Sequence, residues 1–126
     1  HALVVYRDCG GCGDWILRRV TTVDNMELNR AQEEIRAFVE ERGWSQFHTS
    51  ENLAKSISIE AAELLECFQW SGEADGARVR EELADVLTYC LMLADANGWD
   101  PVEIILGKLQ ETRAKYPARN AIAQQG

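Results

Sequence analysis

The sequence predicts an all-α fold of four helices joined by short connections. From Met26 onward, apolar residues recur at the 3.6-residue helical period, and short segments rich in Gly, Ser, Asn and Asp interrupt the pattern. No convincing strand pattern occurs after residue 25. Four helices with short loops are typical of an all-α bundle.

The first and second helices are separated by the loop "WSQFHT". Gly43 is predicted to end the first helix, because glycine readily adopts the left-handed backbone found after a helix C-terminus. Thr49 or Ser50 can cap the second helix, which is predicted to run to about Trp70.

The third helix is predicted from about Ala77 to Ala96, after the turn segment "SGEADG". Gly98 is predicted to end it, and Asp100 then caps a fourth helix that has Pro101 at its first position. Pro117 ends the fourth helix near "KYP", because a proline disfavours helical geometry at the residue before it.

The chain divides into three segments. Residues 1–25 contain two short apolar runs around "CGGC" and are expected to form a small hairpin or a leader of unknown role. Residues 26–120 form the helical domain, and residues 121–126 form a C-terminal tail. A structural zinc site is disfavoured, because only one closely spaced Cys pair occurs and the chain has 2 His residues.

Composition and charge limit the class of protein. The formal net charge of −8 argues against sequence-independent binding to a nucleic acid polymer. A small phosphorylated substrate remains compatible with this charge if a divalent cation lies between its phosphates and the protein carboxylates. No apolar run approaches the roughly 20 residues that span a bilayer, and no secretion signal is recognisable. We therefore expect a cytoplasmic protein with no membrane partner.

Three glutamates in "SIEAAELLECFQW" lie three residues apart in the second helix: Glu60, Glu63 and Glu66. The predicted core-facing stripe of this helix comprises Leu53, Ile57, Ala61, Leu64 and Phe68. Relative to the centre of that stripe, Glu60 lies about 70° away, Glu63 about 130° and Glu66 about 170°. Glu66 is therefore expected to point to solvent, while Glu60 borders the core with Glu63 beside it.

The third helix repeats this arrangement. Its predicted stripe comprises Val79, Leu83, Val86, Cys90 and Ala94. Glu82 lies about 80° from the stripe centre, Asp85 about 140°, and Glu81 nearly opposite. If the second and third helices pack antiparallel, four acids can converge: Glu60, Glu63, Glu82 and Asp85.

Four converging carboxylates repel one another strongly unless protons or cations neutralise them. Because all the ligands are oxygen atoms, the preferred cation is hard, Mg²⁺ or Mn²⁺. A di-iron bundle would need Glu-x-x-His pairs, and no His lies in a predicted helix. Spacing alone leaves a second interpretation open, in which the four acids line a solvated groove, because Glu-x-x-Glu is common on helices.

The motifs "GWSQFH", "SIEAAELLE.FQW", "EELADVL.Y" and "KYP" occur in this order along the chain. In this combination the chain resembles the MazG-like all-α nucleotide pyrophosphohydrolases, closest to the dCTP pyrophosphatase branch, from about Met26 to Asn120. The resemblance implies a four-helix bundle that assembles as a dimer or a tetramer. It also implies cleavage of a nucleoside triphosphate between the α and β phosphates, which yields the monophosphate and pyrophosphate.

The metal-binding pattern of the family, Glu-x-x-Glu followed by Glu-x-x-Asp, falls on the four acids that the helical angles select, and no ligand position is substituted. The resemblance therefore implies that Mg²⁺, or Mn²⁺ in its place, binds to Glu60, Glu63, Glu82 and Asp85. Glu60 and Glu63 are candidates for the catalytic base as well as metal ligands.

Seven further positions match family residues around the nucleotide. The resemblance implies base or sugar contacts for Trp44, His48, Trp70 and Tyr89, a sugar or phosphate contact for Asn52, and phosphate contacts for Lys108 and Tyr116. Aromatic rings suit this role because a base offers a flat π-face. The alternatives are core packing for the aromatic residues, capping or packing for the histidine, and a purely structural role for the lysine and the last tyrosine.

Ile59 and Ala62 are apolar although they lie on the side of the second helix away from its predicted core stripe. A second surface is therefore expected to cover them. Because the resemblance also implies active sites near subunit interfaces, we expect a homodimer or a homotetramer.

These features predict a Mg²⁺-dependent (d)NTP pyrophosphohydrolase for nucleotide house-cleaning, with dCTP or a modified cytosine nucleotide as its leading substrate. One alternative is a related enzyme that acts on dUTP or on damaged purine nucleotides. The other is a non-catalytic helical dimer that serves as a binding or regulatory partner.

Overall fold

The computed structural model describes residues 23–119, which form four α-helices and one short 3₁₀ helix. The helices are α1 (Val23–Glu41), α2 (Ser50–Glu66), α3 (Gly76–Ala96) and α4 (Pro101–Lys115), and the 3₁₀ helix is Ser45–Phe47. The prediction of an all-α fold with four helices is confirmed for this part of the chain, which contains no strand. α1 begins inside the segment 1–25 that was predicted to precede the domain, and the rest of that segment lies outside the described residues, as does the predicted tail.

The helix ends follow the predicted cap chemistry. Thr49 caps α2, because its Oγ1 accepts a hydrogen bond of 3.2 Å from the Asn52 backbone N–H. Asp100 caps α4 and accepts from the Val102 backbone N–H at 2.8 Å. α1 and α3 are followed by Gly43 and Gly98, whose φ angles of 63° and 68° are strained for any residue with a Cβ atom.

α2 ends at Glu66, before the predicted end at Trp70. Beyond it the backbone bonds tighten to the three-residue spacing of turns: the Phe68 N–H donates to the Leu65 carbonyl oxygen at 2.9 Å, and the Gln69 N–H to that of Glu66 at 3.1 Å. Trp70 therefore lies in the connection to α3, outside the helix.

α2 and α3 form the central antiparallel pair. At one end, Ser50 and Asn97 are joined by side-chain hydrogen bonds of 3.2 and 3.0 Å. At the other end, Arg78 Nη2 lies 3.6 Å from Glu66 Oε1. Because the start of each helix lies beside the end of the other, the predicted antiparallel packing is present.

Among the described residues, α4 stands apart from the other three helices. The contact between α1 and α3 is smaller than the contact between α2 and α3, and α4 makes only sparse contacts with the other helices. The core is small and centres on Val39, Leu53 and Met92. Apart from its first two residues, α4 is exposed along its length, including Ile105 and Leu106. The described residues thus form a packed α1–α2–α3 unit from which α4 extends.

The predicted stripes of α2 and α3 are covered only in part. The stripe members that are buried or half-buried are Leu53, Ile57, Leu64, Val79, Val86 and Ala94. The members that are exposed in the single chain are Ala61, Phe68, Leu83 and Cys90. Glu60 and Glu82 are half-buried where α2 and α3 meet.

None of the described helices is both long enough and apolar enough to cross a membrane.

Candidate active site

Three acids meet where α2 and α3 face each other. One carboxylate oxygen from each of Glu60, Glu63 and Glu82 lies within 4.8 Å of the others. Glu60 and Glu63 are one helical turn apart on α2, and the antiparallel packing brings Glu82 of α3 to the same level. Asp85, the fourth acid selected from the sequence, is exposed one turn further along α3 and lies outside this group of three.

The acids interact electrostatically. Partial burial raises the pKa of the Glu60 carboxyl above its ordinary value, and the negative charges of Glu63, Asp85 and Glu82 raise that pKa further. Asp85 is therefore close enough for its charge to act on the cluster, although it lies outside the tight group. The negative charge of the cluster therefore exceeds the positive charge of the side chains around it.

The donor set fits a hard divalent cation. Mg²⁺ prefers oxygen ligands, and one or two protein carboxylates together with substrate phosphates are its usual partners. Here three carboxylates share one small volume on two rigid helices, with a fourth one turn away. Neutralisation by a cation would remove the mutual repulsion that raises the Glu60 pKa.

Arg78 is a nearby cation that sequence reasoning did not select. Its Nε lies 3.8 Å from Glu82 Oε1, and its Nη2 lies 3.6 Å from Glu66 Oε1. Its position four residues before Glu82 on α3 could have indicated this ion pair from the sequence, because side chains four residues apart are neighbours on a helix. Glu66 is exposed, as predicted, but this ion pair means that it is not purely solvated.

Two of the predicted aromatic residues lie in or beside the packed unit. Trp44 packs its ring edge-on against Phe38, with ring centroids 5.5 Å apart, and is 44% exposed. Tyr89 is half-buried against the core cluster of Val39, Leu53 and Met92. Tyr89 lies one turn beyond Asp85 on α3, so packing and ligand contact are both compatible with its position.

His48 and Asn52 lie near the start of α2. His48 lines a cavity of about 250 Å³ between α1 and α3, on whose wall Arg36 and Asp95 form an ion pair. The Asn52 side-chain amide donates to the Phe47 carbonyl oxygen at 2.9 Å and thereby holds the 3₁₀ helix. The structure gives Asn52 a local structural role and leaves its proposed substrate contact untested.

The remaining predicted contacts are not brought to the acids within one chain. Trp70 is 90% exposed in the α2–α3 connection. Lys108 lies on α4 and pairs with Glu111 at 2.8 Å, and Tyr116, just beyond that helix, is 67% exposed. Because α4 hardly contacts the other helices, these residues reach an active site only if another surface meets α4.

Comparison with known proteins agrees with this arrangement. A sequence model of the MazG-like family matches residues 55–125, a segment that contains all four acids. The chain belongs to the MazG-like family. The resemblance predicted from the sequence motifs is thus confirmed.

Curated proteins from other organisms resemble part of this chain. dCTP pyrophosphatase 1 of Rattus norvegicus is 36% identical over 90 residues, which cover 64% of this chain and 53% of the rat protein. dCTP pyrophosphatase 1 of Homo sapiens is 36% identical over 94 residues, which cover 67% of this chain and 55% of the human protein. The chain thus spans about half the length of the curated relatives that it matches.

A solved structure shows the same fold. A pyrophosphatase from Archaeoglobus fulgidus superposes with a TM-score of 0.68 at 40% sequence identity, covering 73% of this chain and 94% of the archaeal one. The MazG-like arrangement of helices is therefore shared with an experimentally determined pyrophosphatase.

Proposed function

We propose that this MazG-like chain is a nucleoside triphosphate pyrophosphohydrolase that requires a divalent cation, with Mg²⁺ preferred. The observation that carries the proposal is the group of three carboxylates whose oxygens lie within 4.8 Å of one another across α2 and α3. It is supported by relatives that are named for dCTP pyrophosphatase activity and by a structural neighbour that is called a pyrophosphatase.

The acids have two proposed roles, which are to bind a cation and to accept a proton. The proposed ligands are the four acids Glu60, Glu63, Glu82 and Asp85. A bound divalent cation would neutralise the triphosphate charge and assist the attack of water. Glu60 or Glu63 would accept the proton of the attacking water, because both carboxylates lie in the cluster. Arg78, beside the cluster, would bind a phosphate oxygen of the substrate.

The leading substrate is dCTP or a modified cytosine nucleotide, and the products are the monophosphate and pyrophosphate. This choice rests on the dCTP pyrophosphatase relatives. Trp44, His48, Trp70 and Tyr89 remain the proposed base and sugar contacts, with Asn52 as a sugar or phosphate contact. Trp70 can take this role only if the connection that carries it folds over the nucleotide.

We also propose that the functional form is a homodimer or a homotetramer. Leu65 and Leu87 are 70% and 54% exposed. Each follows an acid of the site by two residues, so each points about 160° away from that acid around its helix. An apolar face thus lies on the side of the α2–α3 pair opposite the acids, where a second copy can cover it. Lys108 and Tyr116 would then contact the substrate phosphates, because α4 would pack against the second copy.

The test is a substrate panel with the purified full chain and Mg²⁺. dCTP, 5-methyl-dCTP, dUTP and ATP are incubated separately, and the products are resolved by anion-exchange chromatography. We expect equal amounts of dCMP and pyrophosphate from dCTP and no turnover in EDTA. Release of orthophosphate would indicate a different bond, and no turnover of any triphosphate would contradict the proposal.

A further inference from the structure

Arg78 lies at the edge of the acid cluster, between the two helices that carry it. Its Nε lies 3.8 Å from Glu82 Oε1 on α3, and its Nη2 lies 3.6 Å from Glu66 Oε1 on α2. Among the ion pairs of the described residues, only those of Arg78 include a member of the acid cluster. Arg78 is therefore the positive side chain that the fold places beside the proposed cation ligands.

The two acidic partners of Arg78 differ in exposure. The Glu82 side chain is 16% exposed, whereas that of Glu66 is 57% exposed. A mostly buried carboxylate has lost much of its hydration and depends more on a positive partner, while an exposed ion pair contributes little. The main electrostatic effect of Arg78 is therefore on Glu82.

Arg78 is held loosely. Both of its ion pairs are longer than the roughly 3.2 Å limit of a hydrogen bond, and its side chain is 49% exposed. Arg36 differs, because its Nε donates to both carboxylate oxygens of Asp95 at 3.2 Å. The Arg78 guanidinium can leave either acid without breaking a close hydrogen bond to it, and its planar fork matches the oxygen atoms of a phosphate.

A divalent cation bound to the acids would act against the ion pair of Arg78 with Glu82. Two positive groups beside one carboxylate repel each other, so a cation that takes Glu82 as a ligand favours a guanidinium that has moved away. The triphosphate of a nucleotide brings new negative charge to the same place. A phosphate oxygen then offers Arg78 a partner that the cation does not occupy.

We propose that Arg78 exchanges partners during substrate binding: it leaves Glu82 when the cation binds there and moves to a phosphate oxygen of the substrate. The inference rests on the proposed pyrophosphohydrolase function. It gives Arg78 opposite effects on two ligands, because the guanidinium weakens the binding of the cation alone and strengthens the binding of the triphosphate together with the cation. The site therefore favours a cation that arrives with the nucleotide.

The first measurement is the binding of Mg²⁺ alone to the purified full chain and to Arg78→Gln. Isothermal titration calorimetry is carried out at about 0.15 M NaCl, so that distant charges are screened. The variant removes the positive charge beside Glu82 and keeps a polar side chain. We expect the dissociation constant of Mg²⁺ to fall about fivefold, because the cation no longer competes with the guanidinium.

The second measurement is the binding of the α,β-imido analogue of dCTP at saturating Mg²⁺. We expect its dissociation constant to rise about tenfold in Arg78→Gln, because a charge-assisted hydrogen bond to phosphate is lost. KM for dCTP should rise by a similar factor while kcat changes much less, which is the pattern for a contact made equally in the bound substrate and in the transition state.

Arg80→Gln is the matched control. Arg80 is exposed on the same helix, and its position two residues after Arg78 directs it about 160° away around the axis. The substitution removes the same charge, and we expect both dissociation constants to stay within about twofold of the wild-type values. Because the Arg78 side chain is also half-exposed, both variants should keep the melting temperature of the wild type almost unchanged.

Opposite changes in the two affinities of Arg78→Gln are the expected result. The exchange is overturned if this variant binds Mg²⁺ as the wild type does, if it binds both ligands more weakly, or if only Mg²⁺ binding changes. It is also overturned if Arg80→Gln produces equal shifts. In each of these cases a wild-type chain that cleaves dCTP leaves the hydrolase proposal standing, whereas a wild-type chain that cleaves no triphosphate defeats both proposals.

Discussion

Glu60 combines two properties that are costly together, partial burial and three acidic neighbours. Burial disfavours the charged carboxylate, and the charges of Glu63, Asp85 and Glu82 disfavour it further, so the pKa of Glu60 is raised. A protein retains such an arrangement at a cost in stability unless something binds to it. At the scale of single residues, this arrangement supports the proposed explanation of the cluster as a cation site.

Glu63→Gln tests this explanation most directly. The substitution preserves the shape of the side chain but removes one of the charges that would hold the cation. We expect the Mg²⁺-dependent release of pyrophosphate from dCTP to fall on the order of 100-fold or more, because loss of a metal ligand removes charge stabilisation of the reaction. The measurement is kcat/KM over a range of Mg²⁺ concentrations.

Glu66→Gln is the matched control on the same helix. Its carboxylate is exposed and pairs with Arg78 at 3.6 Å, and exposed ion pairs contribute little. We expect activity within about twofold of the wild type and an almost unchanged melting temperature. A loss as large as that of Glu63→Gln would mean that the assignment of the acids to inward and outward positions is wrong.

At the scale of elements, the packing of α2 against α3 brings two local motifs together in one site. Each helix carries two acids one turn apart, and neither could surround a cation alone. The pair is joined at both ends, by Ser50 with Asn97 and by Glu66 with Arg78. The acids of the two helices face each other between these end contacts.

Thr49→Ala is expected to destabilise the fold by about 1 kcal/mol, because it removes the side-chain cap of α2 and leaves the Asn52 N–H without its acceptor. The measurement is the midpoint of urea unfolding followed by circular dichroism. Thr49→Ser keeps a hydroxyl at the cap and should retain most of the stability. Equal losses in the two variants would show that the cap hydrogen bond is not the cause.

At the scale of the whole molecule, a single chain leaves many large apolar side chains exposed. Leu65 and Leu87 are exposed on the α2–α3 pair, and Ile105 and Leu106 are exposed on α4. Large apolar side chains exposed in this number are typical of a folded protein with an interaction surface. Association of identical chains would cover it and would enlarge a core that is small in the single chain.

Leu87→Glu is expected to shift the protein from an oligomer to a monomer, because it places a charge in the proposed apolar interface. Size-exclusion chromatography with light scattering measures the mass. Glu33→Gln on α1 changes charge on an exposed position away from that face and should leave the mass unchanged. A wild-type chain that is a folded monomer at micromolar concentration would contradict the proposed assembly.

Mg²⁺ is expected to raise the melting temperature of the whole molecule, since a ligand that binds only the native state stabilises it by mass action. At a concentration 100-fold above its dissociation constant the gain is about 2.7 kcal/mol. Thermal unfolding with MgCl₂ is compared with NaCl at equal ionic strength, and Mn²⁺ should act similarly. Glu63→Gln should lose most of the shift; an equal shift in this variant would place the cation elsewhere.

Local chemistry makes several features of this chain predictable from residue type and spacing. Thr49 and Asp100 cap helices, and Gly43 and Gly98 follow helices with positive φ, because these roles depend on a few neighbouring atoms. The motifs Glu-x-x-Glu and Glu-x-x-Asp are each recognisable from residue type and spacing. Three of those four acids meet as the antiparallel arrangement predicts.

The predicted core stripes of α2 and α3 are only partly covered within one chain. Leu53 is buried, whereas Phe68 and Leu83 are exposed. An apolar side can be covered by the same chain or by another one, and periodicity does not distinguish these cases.

The sequence by itself determined the four helices, their caps and the four acids, because each depends on residue type and short-range spacing. Only the tertiary structure decided which acids touch, that Arg78 lies beside Glu66 of the neighbouring helix, and that α4 stands apart from the other helices. Such contacts arise from packing between distant segments, which local patterns do not encode.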